Sequence, residues 1–539
     1  VSDLLAGTGL ILAAGASAAA ILLPPGRLRA VLMAAAMALF PVLILGDQWH
    51  TAQIIDLRHD EGRIAALLVI AAAVVGVLAY AFRRWPTLLP LAIVFALPFR
   101  VPLHAGGDTA NLLVPLYLVI AAGVAATALR DWPKWPAGPV AAGDPPPLAT
   151  AQGGVPPTPP PAGGAAAWLP RVLAAVVVLY ALQALYSEDF SKGLQNVCFF
   201  LVPFTVAFGL LRDVRWDARL LRWTLALVAV EATVFVLIGG VELATRSLFW
   251  NDQIIRSNEF HTYFRVNSVF WDPNVYGRYL ALVTTIATAA MLWARTRETF
   301  WLLTGLIAVL WIGLIPTYSQ SSFLALLAGL AVLAAIRWSW RWTLAAVGIG
   351  LIGAALVVVL VGGSGKITSD RLNVDLSGRG SLVSGGVDLF AERPVWGYGS
   401  GSFQAAYREH RENKDAPVTV SHTEPVTVAA EQGLIGLLLY FALIAVALGT
   451  LSRGLWAAPA ADPAAAGDPP PPATAQGAVP PTTSPTALAA RAAVLAAFVA
   501  LLVHTLAYAG FFEDPITWVL LAVGASLAHA DAALIRRPA

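Results

Sequence analysis

Apolar runs of about 17–25 residues recur from one end of this chain to the other, the length a helix needs to cross a hydrocarbon core. Of 539 residues, 58% are hydrophobic and only 12% are charged, and the mean hydropathy is +0.71. A soluble fold of this size has no way to hide so much apolar surface, so lipid must cover much of it. The runs are continuous rather than alternating, which argues for helices over a closed barrel. The expected fold is an all-α polytopic membrane protein with about 14–15 transmembrane helices.

Spans are expected at 3–23, 30–46, 63–82, 87–99, 112–130, 171–187, 197–211, 223–241, 275–294, 300–317, 320–336, 342–361, 426–451, 488–511 and 514–532. The run at 87–99 is short and is expected to tilt or re-enter. Many of the 18 Trp flank these runs (Trp85, Trp132, Trp216, Trp293, Trp338, Trp342), as an interfacial aromatic belt would have them. The single cysteine, Cys198, lies inside an apolar run and reads as packing. A net charge of +2 singles out no partner, and no nucleic-acid signature is present.

Lys and Arg of the short loops fall at every second connection, from Arg27/Arg29 and Arg83/Arg84 to Arg536/Arg537. The positive-inside rule then puts the N-terminus outside and the C-terminus in the cytoplasm. The expected organisation is N-terminal helices over 1–135, a Pro-rich cytoplasmic linker over 136–168, and central helices over 169–361 with an outer loop at 242–274. A long outer loop follows over 362–425, then a helix over 426–455, a second Pro-rich linker over 456–487 and a C-terminal hairpin over 488–539. The linkers nearly repeat each other: AAGDPPPLATAQGGVPPT (141–158) returns as AAGDPPPPATAQGAVPPT (465–482). Such segments bury too little surface to order themselves and read as tethers or partner-docking tails.

Three outer stretches carry ionisable groups. In SHTEPVTVAAEQGLIGLLLY (421–440), Pro425 fits a first helical turn, and Glu424, Val428 and Glu431 share one helical face with His422 just outside. An imidazole there suits proton transfer near neutrality; the same residues would also serve as a cap and bundle-facing carboxylates. In LSGRGSLVSGGVDLFAERPVWGYGSGSF (376–403), Arg379 sits among small residues, where a guanidinium can fork onto phosphate oxygens, or is a surface arginine before a glycine turn. In FRVNSVFWDPNVYGRYLALV (264–283), Arg265 precedes the Asp272-Pro273-Asn274 turn and Arg278 lies one turn inside a span, where it must face protein, water or a lipid phosphate. Cationic and titratable groups on two outer loops suggest an anion site with a base beside it, as transfer from a diphosphate-linked lipid requires.

The order of motifs resembles the O-antigen ligase and O-antigen polymerase superfamily, over roughly 195–450. That family shows R-x-x-G-x-F-x-x-P-N before a span, and this chain has RVNSVFWDPN at 265–274. It shows T-x-S-R at a later span, and here Thr317, Ser319 and Gln320 stand, with Gln replacing Arg. An Arg precedes P-x-x-G-x-G-x-x-x-F in the family, as Arg379 precedes 394–403 here. The family's H-N-x₇-E-x-G-x-x-G corresponds to His422, Glu431, Gly433 and Gly436, with Thr423 in place of Asn.

The resemblance implies a GT-C-like membrane glycosyltransferase, metal-independent and inverting, with no cofactor. Its donor would be a glycan on undecaprenyl diphosphate, and its acceptor a hydroxyl of a glycan, lipid or protein. It would work at the outer face of a bacterial cytoplasmic membrane. Arg265 and Arg379 would hold the diphosphate, with Arg278 a third candidate for binding it; His422 would activate the acceptor and Glu431 support it, with Glu424 beside them. Two alternatives stay open. The first outer loop, DLRHDEGRIA (56–65), carries Asp60 and Glu61, resembling the acidic loop of metal-dependent, lipid-phosphate-using glycosyltransferases. A polysaccharide or lipid transporter is the non-enzyme alternative, but it calls for intramembrane charges, and ionisable residues here keep almost wholly to loops and span ends.

Overall fold

The computed structural model describes residues 2–51, 54–55, 59–105, 108–131, 165–260, 263–350, 379–410, 421–455 and 485–535. Both Pro-rich repeats lie outside the described residues. Eleven of the described helices are long and apolar enough to cross a membrane, so the chain is an all-α, multi-pass membrane protein. A two-stranded antiparallel hairpin, β1 (Val101–Ala105) with β2 (Asp108–Leu112), is the one small departure among the described residues.

The first helices are α1 (Ser2–Leu22), α2 (Arg27–Asp47), α3 (Glu61–Arg84), α4 (Leu88–Ala96) and α5 (Val114–Asp131). The expected span at 87–99 is only the nine residues of α4, about 14 Å of helix, after which the chain turns back through the hairpin. Next come α6 (Ala165–Ala184), α7 (Phe190–Asn196) and α8 (Val202–Leu211). A π-turn at Val197–Leu201 joins α7 to α8, so this crossing runs from Phe190 to Leu211. The central helices are α9 (Ala218–Thr245), α10 (Asp252–Phe260), α11 (Pro273–Leu292), α12 (Arg297–Leu314) and α13 (Gln320–Arg337). The remainder are α14 (Arg379–Glu392), α15 (Phe403–Glu409), α16 (Glu424–Leu451), α17 (Pro485–Thr505) and α18 (Pro515–Ile535).

Small residues let the central helices approach closely, as lipid-embedded packing favours. At Gly329 of α13, an added Cβ would stand 2.8 Å from Thr285 Oγ1 of α11 and 3.3 Å from the Ala496 carbonyl of α17. One end of the bundle is tied by arginines. Arg29 pairs with Asp213, Arg212 donates to the Ile21 and Leu23 carbonyls that end α1, and Arg491 donates to the Arg453 carbonyl.

Not all acids keep to span ends. Glu231 lies in the middle of α9, buried, and accepts from Tyr279 Oη at 3.2 Å. Glu242, fully buried near the end of α9, accepts from the backbone N–H of Asn267 (3.1 Å) and Ser268 (2.7 Å). A buried carboxylate persists only when donors surround it, and here the turn before α11 supplies them.

Gly329→Val should overpack the α11–α13–α17 contact and lower stability by roughly 1–3 kcal/mol. Gly15→Ala, which meets open space, should leave the detergent-solubilised melting curve unchanged.

Candidate functional site

At the end of the bundle opposite those arginines, α16 is broken. Gly433 takes φ 63 and ψ −162, a left-handed position that a side chain would strain. In an unbroken helix Leu434 and Ile435 would donate to Ala430 and Glu431. Instead they donate to Pro394 (2.7 Å) and Val395 (3.5 Å) of the glycine loop. The freed carbonyls of Ala430 and Glu431 accept from Tyr398 (3.1 Å) and Gly399 (2.8 Å) of the same loop. Gln183 Nε2 of α6 donates to the Gln432 carbonyl at 3.2 Å. The loop thus completes a helix that the chain leaves open. The approach is close enough that a Cβ at Gly397 would lie 2.3 Å from the Glu431 carbonyl oxygen, and one at Gly433 2.4 Å from that of Val395.

The two acids of α16 hold the surrounding backbone. Glu431 accepts from Gly401 N (2.9 Å) and Phe403 N (3.2 Å), fixing the exit of the loop into α15. Glu424 accepts from Gly510 N (2.7 Å) and Phe511 N (3.1 Å), fixing the turn between α17 and α18. Both carboxylates are buried. With Glu513, Lys192 and Thr427 they line a cavity of about 60 Å³. His422 stands just before α16 in the left-handed region (φ 61), which His enters more readily than most residues. Its ring lies 6.5 Å, centroid to centroid, from Tyr508. Burial pushes the Tyr508 phenol well above its ordinary range, so it stays a neutral hydroxyl.

Arg265 is fixed from several sides. Its backbone N–H and carbonyl are both bonded by Asn258 (3.0 Å each), its Nε donates to the Thr317 carbonyl at 2.9 Å, and its Nη2 to Asn274 Oδ1 at 3.1 Å. The Ser319 backbone N–H donates to Thr317 Oγ1 (3.3 Å), the Ser319 and Ser321 hydroxyls meet at 3.2 Å, Ser321 Oγ meets His504 Nε2 (3.2 Å), and the His504 ring lies 5.8 Å from that of Tyr508. Arg265 and His422 are therefore termini of one continuous run of contacts. Arg278 joins it from the side, 6.0 Å from the Tyr508 ring. Arg278 is buried against Asp514, with Nη2 to Oδ2 at 2.9 Å, so its charge is already matched.

Arg379 opens α14, which packs on α16; the reach of its side chain lies outside the described residues. Asp60 is exposed and caps α3 by accepting from Arg63 N at 2.9 Å, and Glu61 is the first residue of that helix. Among the described residues, no three His, Cys, Asp or Glu are grouped to hold a metal ion.

The FFEDP turn (511–515) and His504 carry none of the motifs singled out above. Yet this turn and its flank supply the donors to Glu424, the partner of Arg278 and the ring beside His422. The signal was faint because two of the donors are backbone N–H groups, which no residue type announces.

Residues 305–441 match the family model described as O-Antigen ligase. No curated protein matches the chain. The family resemblance carried by the motif order is thus found a second time, over the segment that holds Arg379, the glycine loop, His422, Glu424 and Glu431. It supports glycan transfer of the O-antigen ligase kind within a membrane.

Behind the loop, His410 Nδ1 faces the Ala406 carbonyl (2.7 Å) and its Nε2 faces Glu392 (2.8 Å), which also accepts from Tyr398 Oη (2.6 Å). Two acceptors favour the doubly protonated ring. The Ala406 carbonyl, then Glu392, raise the His410 pKa, while the Tyr398 hydroxyl, then His410 and Arg393, lower that of Glu392. The raised imidazole adds stability that is full below its ordinary pKa and lost as pH rises through the raised one. The lowered carboxyl adds stability that is present above its ordinary pKa and lost as pH falls through the lowered one. His410→Ala should therefore erase the alkaline decline in melting temperature that this pair causes, read from unfolding curves across pH. Gly433→Ala and Gly397→Ala should each lose more than about 1 kcal/mol of stability in the same assay.

Proposed function

We propose, from the O-antigen ligase resemblance of residues 305–441, that this chain is a glycosyltransferase of the O-antigen ligase or polymerase type. Its donor is a glycan on a polyprenyl diphosphate, such as undecaprenyl diphosphate, and its acceptor a hydroxyl on a glycan, lipid or protein. The reaction runs at the outer face of a bacterial cytoplasmic membrane, with the N-terminus outside and the C-terminus in the cytoplasm. In this reading 362–425 is the catalytic loop and the Pro-rich segments are cytoplasmic tethers.

The acceptor oxygen attacks the anomeric carbon from the side opposite the carrier. The bond from that carbon to the diphosphate oxygen breaks, its electron pair leaves with the diphosphate, and the anomeric configuration inverts. His422 takes the acceptor proton, and Arg265 with Arg379 holds the charge that develops on the leaving group. Arg278, matched by Asp514, holds the Tyr508 ring beside His422 rather than spending its charge on substrate. Glu431 and Glu424 keep the loop and the 510–511 turn in register with His422. No step is assigned to a metal ion.

The observation that carries this reading is the continuous path of contacts from Arg265 through Thr317, Ser321, His504 and Tyr508 to His422. It supports a phosphate-binding guanidinium and a base acting on one substrate.

In nanodiscs with lipid-linked oligosaccharide, His422→Ala should lower kcat by roughly 10²–10⁴ while carrier affinity holds. Arg265→Ala should weaken binding of bare undecaprenyl diphosphate by about 1.5–3 kcal/mol. Full turnover by His422→Ala would sink the assignment of the base. Asp60→Asn with Glu61→Gln should turn over normally; loss of a metal-dependent activity there would favour the acidic-loop alternative.

A further inference from the structure

Against Phe264 and Asn258, the chain neighbour and the backbone partner of Arg265, lies a cavity of about 460 Å³ that the proposed chemistry does not use. Its walls are the end of α9 (Arg246, Ser247), the side of α10 (Asn258, Glu259) and the stretch Tyr263–Phe264. Tyr263 meets Tyr318, outside the cavity lining, at a tilted angle, with ring centroids 4.5 Å and planes 30° apart, and stays 37% exposed. The Arg246 guanidinium lies 5.4 Å from the Phe264 ring centre, and Glu259 is exposed.

Arg246 terminates α9 in the left-handed region, φ 54 and ψ 33. Glycine would take that position without strain, so arginine there is kept for its side chain. The cavity is also coupled to the phosphate arginine. Asn258 bonds both backbone groups of Arg265, and Phe264 and Arg265 are neighbours in the chain. The cavity is therefore built on the same turn as Arg265, with Asn258 shared between them.

Aromatic faces beside a guanidinium, a carboxylate, a hydroxyl and an amide make a mixed surface. The rings suit the C–H faces of a pyranose, and the planar charged groups suit its hydroxyls. A membrane lipid tail has no use for Arg246 and Glu259, and a phosphate alone has no use for the Tyr263 and Phe264 rings. We infer that this cavity is a saccharide subsite that receives a sugar unit adjoining the diphosphate bound at Arg265. The inference rests on the glycan-transfer reading above and adds the place where a sugar is recognised. The sugar comes either from the donor glycan or from a glycan acceptor.

The test uses the full chain in nanodiscs with two probes: undecaprenyl diphosphate carrying its oligosaccharide, and bare undecaprenyl diphosphate. Arg246→Gly is chosen because it relieves the backbone, and Tyr263→Ala because it removes one exposed ring. For a donor sugar, each variant weakens the glycosylated carrier roughly tenfold, as removal of one anchor does, and leaves the bare carrier unchanged. For an acceptor sugar, both carriers bind as in the wild type, while KM for a glycan acceptor rises roughly tenfold at constant kcat. Unchanged affinity for both carriers together with unchanged acceptor KM overturns the subsite. Equal weakening of both carriers overturns it too, since that marks a phosphate contact. Arg265→Ala reports separately on the transfer reading: if it leaves the bare carrier's affinity intact, that reading fails whatever Arg246→Gly does.

Discussion

The exchange of hydrogen bonds between a broken helix and a glycine loop is the constraint on which the site depends. Every backbone polar group near the hydrocarbon must find a protein partner. At Gly433 the helix gives up two of its own bonds, and the loop at 394–399 returns both donors and both acceptors. The loop has no other way to dock so deeply, and α16 no other way to bend there without orphaned groups. Glycine at 397 and 433 is what lets two main chains lie in contact.

The same economy governs the charges. Glu424, Glu431 and Glu242 each sit where a turn aims backbone N–H groups at them, and Arg278 sits against Asp514. Burying one member of such a set alone would leave a charge uncompensated. These acids therefore join distant segments: the turn before α11 to α9, the 510–511 turn to α16, the glycine loop to α16. The segment that carries His422 is thereby tied to the turns around it.

Much of this was legible in the residues. Span-length apolar runs gave the fold class, and Pro425 after Thr423 marked the start of α16. The motif order picked out a stretch, roughly 195–450, within which the family comparison matches 305–441. Other features had no signature. The nine apolar residues of α4 look like a span until the hairpin turns the chain back. Asp60 looks like a base in a short acidic stretch, yet its oxygen caps a helix. Gly433 fits the middle of an apolar helix, because nothing in 426–451 tells that a loop some forty residues upstream will complete its bonds. Asp514 and Tyr508 gain meaning only from Arg278 and His422, far away in the chain. Local pattern reports what a residue can do; long-range packing decides what it meets.

A helix interrupted at Gly433 is two levers on one pivot. The portion at 424–432 is tied to the loop and to the 510–511 turn, whereas the portion from 434 on meets that loop only at its first two residues, Leu434 and Ile435. A break clamped in this way lets the two halves of α16 differ in tilt while the bonds at 424–432 stay closed.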